Sequence, residues 1–282
     1  MRISTVAVSL AMSLASALVG AAAPAPAAVA AAALPAYDHI LVVVEENHSY
    51  SEVVGNSSAP YITSLASGGA NMTQSFAVTH PSEPNYLALF SGSTQGLTDD
   101  SCPHTYSAEN LGHQLINSGQ TFKGYSESMP SDGYTGCTSG QYARKHNPWV
   151  DFSNVPSSSN LRFADFPTDY TTLPKISFVV PNLCDDMHDC GVSTGDTWLK
   201  NNLGAYASWA TTHNSLLVVT FDEDDRSASN RIPTVFYGAH VATGSYPEHI
   251  THYTVLRTLE SLTGLGCVAN SCSVSPISDI WN

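Results

Sequence analysis

The run LLVVTFDEDD at residues 216–225 carries apolar and β-branched residues straight into four consecutive acids. A second run, HILVVVEENHSY at 39–50, ends in the same way. Continuous apolar runs of this length read as strands covered on both faces. KISFVV at 175–180 and IPTVFY at 232–237 have the same character. Helical patterns lie between them: YITSLAS after the first run, NLGHQLINSG before a further candidate strand in TFKGYSES, and GDTWLKNNLGAYASWATT before LLVVTF. Near the end, THYTVLRTLESLTG puts Val255, Leu256, Leu259 and Leu262 on one helical stripe and stops at Gly264. Strands alternating with helices predict an α/β fold, a three-layer α/β/α sandwich with a mostly parallel central sheet.

The chain has 282 residues, of which 12% are charged, and a formal net charge of −14. Only YARKHN at 142–147 gathers basic residues, so no nucleic-acid partner is expected. Met1 and Arg2, the apolar stretch VAVSLAMSLASALVG and the Ala/Pro sequence after it form the three-part pattern of a secretory signal peptide over 1–33. That pattern predicts a secreted product, with 34–282 as a single catalytic domain and no integral membrane segment after cleavage. A monomer is expected. Six cysteines in an exported chain argue for disulfides, and sequence order suggests Cys102–Cys137, Cys184–Cys190 and Cys267–Cys272. The stretch 126–170, rich in Ser, Pro, Gly and Asn, reads as long surface loops.

In such a fold ligands bind beyond the C-terminal ends of the strands. Glu45, Glu46 and Asn47 follow one strand, and Asp222, Glu223 and Asp224 follow another. If the two strands are neighbours, these acids share one mouth, where a hard divalent cation would relieve their repulsion. Solvated loop acids are the alternative. Ser82, in VTHPSEPNYLALFSG (78–92), falls at the tip of a helix, where free backbone N–H groups favour an anion. An ordinary N-cap serine is the competing reading. PNLCDDMHDCGVSTGDTWL (181–199) adds Asp185, Asp186, His188 and Asp189, with Asp196 read as a helix N-cap. His249 and His252 precede the last helix. There is no G-x-S-x-G elbow, no phosphate-binding glycine loop and no dinucleotide fingerprint. A helix-tip serine with oxygen-rich ligands and histidines suits phosphoryl transfer.

EENHSY, THPSEPNYLALFSG, PNLCDDMHDCGVSTGDTWL, VVTFDEDD and HYTVLRTLE occur in that order across about 40 to 262. Together they resemble the bacterial phosphoesterase family of secreted acid phosphatases and phospholipases C, within the alkaline-phosphatase-like superfamily. The likeness is greatest to actinobacterial phosphatidylinositol-3-phosphatase-type acid phosphatases. The resemblance implies that Glu46, Asn47, Asp222 and Glu223 hold a metal and that Ser82 is the phosphorylated nucleophile. It implies that His188 and His252 hold phosphate or protonate the leaving group. Asn85, Glu45, Asp185 and Asp186 would touch phosphate or support the ligands.

Two-zinc members of that superfamily place a His where Glu223 stands, and an Asp where Cys184 stands, four residues before His188. One ion (Ca²⁺, Mg²⁺ or Mn²⁺) is therefore expected rather than two Zn²⁺. The expected activity is hydrolysis of phosphate monoesters, phosphoinositides among them. A phospholipase C-type phosphodiesterase is the alternative enzyme, and a secreted Ca²⁺-stabilised binding protein is the alternative without catalysis. Lys123, Arg144, Lys145 and Trp149, in the long loops, are candidates for reading an inositol or nucleotide headgroup, and a plain disulfide-tethered surface is the equal alternative.

Overall fold

A computed structural model of the chain describes residues 1–5, 7 and 34–282. The expected export signal lies almost wholly outside the described residues. Strands run β1 His39–Glu45, β2 Ala70–Phe76, β3 Phe122–Ser126, β4 Thr138–Ser139, β5 Tyr142–Ala143 and β6 Asn160–Arg162. They continue with β7 Ile176–Val180, β8 Ser215–Phe221, β9 Arg231–Ile232, β10 Thr234–Gly238 and β11 Gly244–Thr251. The α-helices are α1 Tyr50–Val53, α2 Pro60–Gly68, α3 Ser82–Ser91, α4 Leu111–Asn117, α5 Val192–Ala210 and α6 His252–Leu262.

The main sheet has the order β11-β2-β10-β8-β1-β7-β3-β6, with β9 paired to β2. Around its centre it is parallel: β1 lies between β7 and β8, and β3 joins β7 and β6 in the same direction. The strand expected at 232–237 is broken at Pro233 into β9, on β2, and β10, which runs antiparallel to β8. β2 and β11 escape the sequence reading because ANMTQSF and GSYPEHIT are largely polar. In β11 the pairing shifts register between Tyr246 and His249, where Pro247 supplies no N–H.

Successive residues of a strand point to opposite faces, and the core divides accordingly. Ile40, Val42 and Val44 meet Leu216 and Val218 in a cluster with residues of α3, α4 and α6. Leu41 and Val43 join Leu217, Val219 and Phe221 against α2 and α5. This is the three-layer sandwich. Burying each Val, Leu or Ile contributes about 1.5–3 kcal/mol, which is why the centre of the sheet tolerates a polar rim at its ends.

The 126–170 stretch differs from the expected surface loop. Arg144, His146, Asn147, Trp149, Asp151 and Phe152 are buried. The Trp149 ring lies over Gly124 of β3, where a Cβ would come within 2.1 Å of the indole. Its Nε1 donates to Asn160 Oδ1 at 2.8 Å. The Cys102–Cys137 bridge ties this segment down, and Cys184–Cys190 and Cys267–Cys272 close two shorter loops, leaving no free cysteine. A full set of disulfides suits an oxidising compartment. Asp196 lies inside α5, not at its start, and caps a different helix: its carboxylate accepts from Tyr61 and Ile62 N–H, in the first turn of α2.

Candidate active site

β1 and β8 pair in register through Glu45 and Phe221, so the next residues, Glu46 and Asp222, leave the sheet together. By the alternation above they emerge on the α3 side. Asp222 N–H donates to Glu45 O at 2.9 Å, and Asn47 N–H donates to Asp222 Oδ1 at 3.0 Å. Asn47 adopts φ of 59°, a turn that an Asn accepts more readily than most residues. Both carboxylates are fully buried, and Asp222 Oδ2 has no hydrogen-bond partner.

Ser82 is the first residue of α3, after Pro81, and its hydroxyl does not cap the helix. It donates instead to Glu46 Oε2 at 3.0 Å, an oxygen that Asn47 Nδ2 also reaches at 3.1 Å. Tyr86, one turn further along α3, donates its hydroxyl to Glu46 Oε1 at 2.5 Å. Glu46 is thus the hub on which strand, helix and nucleophile candidate meet. Burial, then the charges of Asp222 and Asp186, raise its pKa far above the usual carboxylate range. Burial and then Glu223 push Asp222 up to about 7.

Two histidines that the sequence reading did not assign belong to this mouth. His146 is buried, stacks on Tyr86, faces Glu46 Oε1 through Nε2 at 3.2 Å and approaches Asp186 Oδ2 through Nδ1 at 3.1 Å. Burial, then Lys145 and His188, hold its pKa well below the ordinary imidazole value. His80 sits between Glu223 Oε2 at 3.0 Å and Asp224 Oδ1 at 3.3 Å. The only cue to His146 was its place in YARKHN, the one basic cluster of a charge-poor chain.

The remaining expected residues fall as follows. His188 lies at the rim, Nδ1 against Asp189 at 2.7 Å, and Glu46, His146 and His188 bring one potential metal-ligand atom each within 4.8 Å of one another. Asp186 joins the site from behind, accepting from His188 N–H and holding His146. Glu223, raised to about 7 chiefly by burial, receives Asn85 Nδ2 at 3.3 Å. Asn85 spends its Oδ1 on the N–H groups of Val78 and Thr79, so it braces the loop leading to Ser82. His252 is buried with Nε2 on Asp222 O at 2.7 Å, a post behind the acid. Burial lowers its pKa to about 4, so it stays neutral.

Glu45 points away from this group, on the α5 side. Both of its carboxylate oxygens are buried without partners, and burial and then Asp186 raise its pKa strongly. Asp185, also nearby in sequence, accepts from Asn182 Nδ2.

The fit to a cation rests on donors and orphaned atoms. Glu46, Asn47, Asp222 and Glu223 offer the oxygens that hard divalent ions prefer, and an unpartnered buried Asp222 oxygen is costly without a counter-charge. Glu46 with His146 and His188 offers a mixed oxygen–nitrogen set beside it.

Acids, a helix-tip serine and imidazoles thus gather at one end of the sheet. A solved Vibrio parahaemolyticus protein of the alkaline phosphatase superfamily has the same fold, with a TM-score of 0.56 at 13% identity over 86% of this chain and 72% of that one. The sequence profile of the Phosphoesterase family matches residues 56–266, and the chain belongs to that family. It is 55% identical over 253 residues to a Mycobacterium tuberculosis phosphatidylinositol-3-phosphatase, covering 89% of this chain and 85% of that one. It is 31% identical to an Aspergillus fumigatus acid phosphatase over 82% of this chain, which spans 56% of the fungal protein.

Proposed function

We propose that the chain is an exported, metal-dependent phosphate monoesterase that works through a phosphoserine at Ser82. The observation that carries this reading is the buried contact between Ser82 Oγ and Glu46, beside an unpartnered Asp222 oxygen. Glu46, Asn47, Asp222 and Glu223 would hold one divalent cation. Bound there, the cation neutralises charge on the phosphoryl group and lowers the pKa of the hydroxyl.

The chain's own residues account for the rest. Glu46 Oε2 accepts the Ser82 proton as Oγ bonds to phosphorus, and the ester P–O bond breaks on the opposite side. In the first turn of α3 Glu83 N–H is held by Asp100 and Pro84 has none, so the Ser82 N–H is the backbone donor left for the phosphoryl oxygens. His188, exposed at the rim and steadied by Asp189, gives its proton to the departing alcohol. Water then gives a proton to His188 as its oxygen attacks phosphorus, the Ser82 Oγ–P bond breaks, and Oγ recovers its proton from Glu46. Tyr86, Asn85 and His252 hold the participants in place.

A phosphoinositide substrate is favoured by the name of the mycobacterial relative. The test is turnover of p-nitrophenyl phosphate, phosphatidylinositol 3-phosphate and phosphatidylcholine by wild-type and Ser82→Ala protein. The variant should lose roughly 10⁴-fold in kcat on the monoesters while melting as a folded protein. Turnover close to wild type would remove Ser82 from the role, and preference for phosphatidylcholine would make the enzyme a diesterase.

A further inference from the structure

Lys145 is the charged residue of the mouth to which that mechanism gives no task. Its neighbour Arg144 is fully engaged: the guanidinium bonds Asp151 and the carbonyls of Thr135 and His104. Lys145 differs. Its Nζ lies 2.9 Å from Asp100 Oδ2 and 3.4 Å from His188 Nε2, and its side chain is one-fifth exposed. The other Asp100 oxygen accepts Glu83 N–H at 2.9 Å, in the first turn of the helix that carries Ser82. One carboxylate therefore fixes the ammonium relative to the nucleophile.

An ammonium has three donors and no acceptor. Asp100 occupies one, His188 Nε2 can accept a second only after it has given up its proton, and no other protein partner is found among the described residues. Burial works against the charge, but the bond to Asp100 and the negative field of Glu46 and Asp222 outweigh it. The position also bears on how many ions the mouth holds. His188 turns Nδ1 to Asp189, so Nε2 is the nitrogen it would offer a metal alongside Glu46 and His146, and the ammonium stands in front of it. A fixed positive charge thus stands 3.4 Å from the nitrogen that a second divalent ion would use.

Resting on the reading of Ser82 as nucleophile, we propose that Lys145 is a catalytic residue whose ammonium grips a non-bridging phosphoryl oxygen, in place of a second metal ion, and so selects doubly charged monoesters over singly charged diesters. It forms and breaks no covalent bond and transfers no proton. Its contribution is one unit of positive charge and one hydrogen bond, which a dianion uses more fully than a monoanion.

The experiment compares Lys145→Met and Lys145→Arg on p-nitrophenyl phosphate and bis(p-nitrophenyl) phosphate, and measures binding of inorganic phosphate calorimetrically in a Ser82→Ala background. Lys145→Met should lower kcat/KM on the monoester by about 10²-fold and on the diester by no more than about 3-fold. Phosphate affinity should weaken by about tenfold or more, and Lys145→Arg should recover part of both losses. Equal losses on the two esters, or unchanged phosphate affinity in a folded Lys145→Met protein, would overturn the assignment. If Ser82→Ala keeps its turnover, the nucleophile reading fails. If Ser82→Ala is inactive while Lys145→Met binds phosphate normally, the Lys145 inference alone fails.

Discussion

Two buried acids at different corners of the molecule show how one residue type serves two ends. Glu260, in α6, is fully buried, yet every demand of its carboxylate is met: Ser271 Oγ donates at 2.8 Å, Val268 N–H at 3.0 Å and Arg257 at 3.3 Å. It fastens the Cys267–Cys272 loop to the last helix. Asp222, equally buried, keeps an oxygen with no partner and has Glu46 and Glu223 as neighbours. The first acid is part of the scaffold. The second is the kind of uncompensated acid expected where function, not stability, sets the residue, in keeping with the proposed cation site.

The sharpest test of that contrast is Asp222→Asn. It should cut kcat/KM on a monoester by roughly 10³-fold, through loss of one of the acids proposed to hold the cation. The metal-free protein should meanwhile melt at a higher temperature, because one term of the repulsion is gone. A lower melting temperature with activity preserved would put Asp222 in the same class as Glu260. The reverse is expected of Glu260→Ala, which leaves buried donors unpaired and should cost about 3 kcal/mol by denaturant unfolding. Its kcat per folded molecule should stay within a factor of about 2 of wild type. A large loss of kcat would mean that the corner communicates with the mouth.

The smallest effect expected is on pH dependence. Asp222 and Glu223 are raised to about 7 by burial, so the folded metal-free protein binds more protons than the unfolded chain between their ordinary range and that value. Folding is therefore favoured at the acid end, and stability falls as pH climbs through the interval towards about 7. Saturating Ca²⁺ or Mn²⁺ should flatten the slope, since a bound cation stabilises the ionised acids. Thermal melts across pH, with and without EDTA, would show it. A slope indifferent to EDTA would separate the acids from any ion.

Much of this geometry was legible in the sequence because it follows from period-two alternation. Two strands that end on acids, if adjacent and in register, must send Glu46 and Asp222 out on one face. Ser82 was legible as a helix tip, and Tyr86 lies one helical turn beyond it. The same alternation sends Glu45 to the other face, which a reading of strand-end acids as one group does not resolve. His146 was not legible as a site residue, and Lys145 only as one of several candidates for reading a headgroup. They arrive on a short 3-10 turn whose path depends on the Cys102–Cys137 bridge, the Arg144–Asp151 pair and the seating of Trp149 against Gly124. No local periodicity records such tertiary contacts. β2 and β11 were missed for a related reason: their polar residues signal neither burial nor alternation, and pairing with neighbours makes them strands.

The central strand takes both its partners from far along the chain, and the bond from Asn47 N–H to the Asp222 carboxylate spans 175 residues. Contacts of such long range form late, because the intervening chain must first be confined. During synthesis the N-terminal half can therefore hold its serine and first acids without assembling a catalytic centre. On the proposed function, a fragment that stops short of β8 lacks Asp222 and Glu223 and should show no hydrolysis.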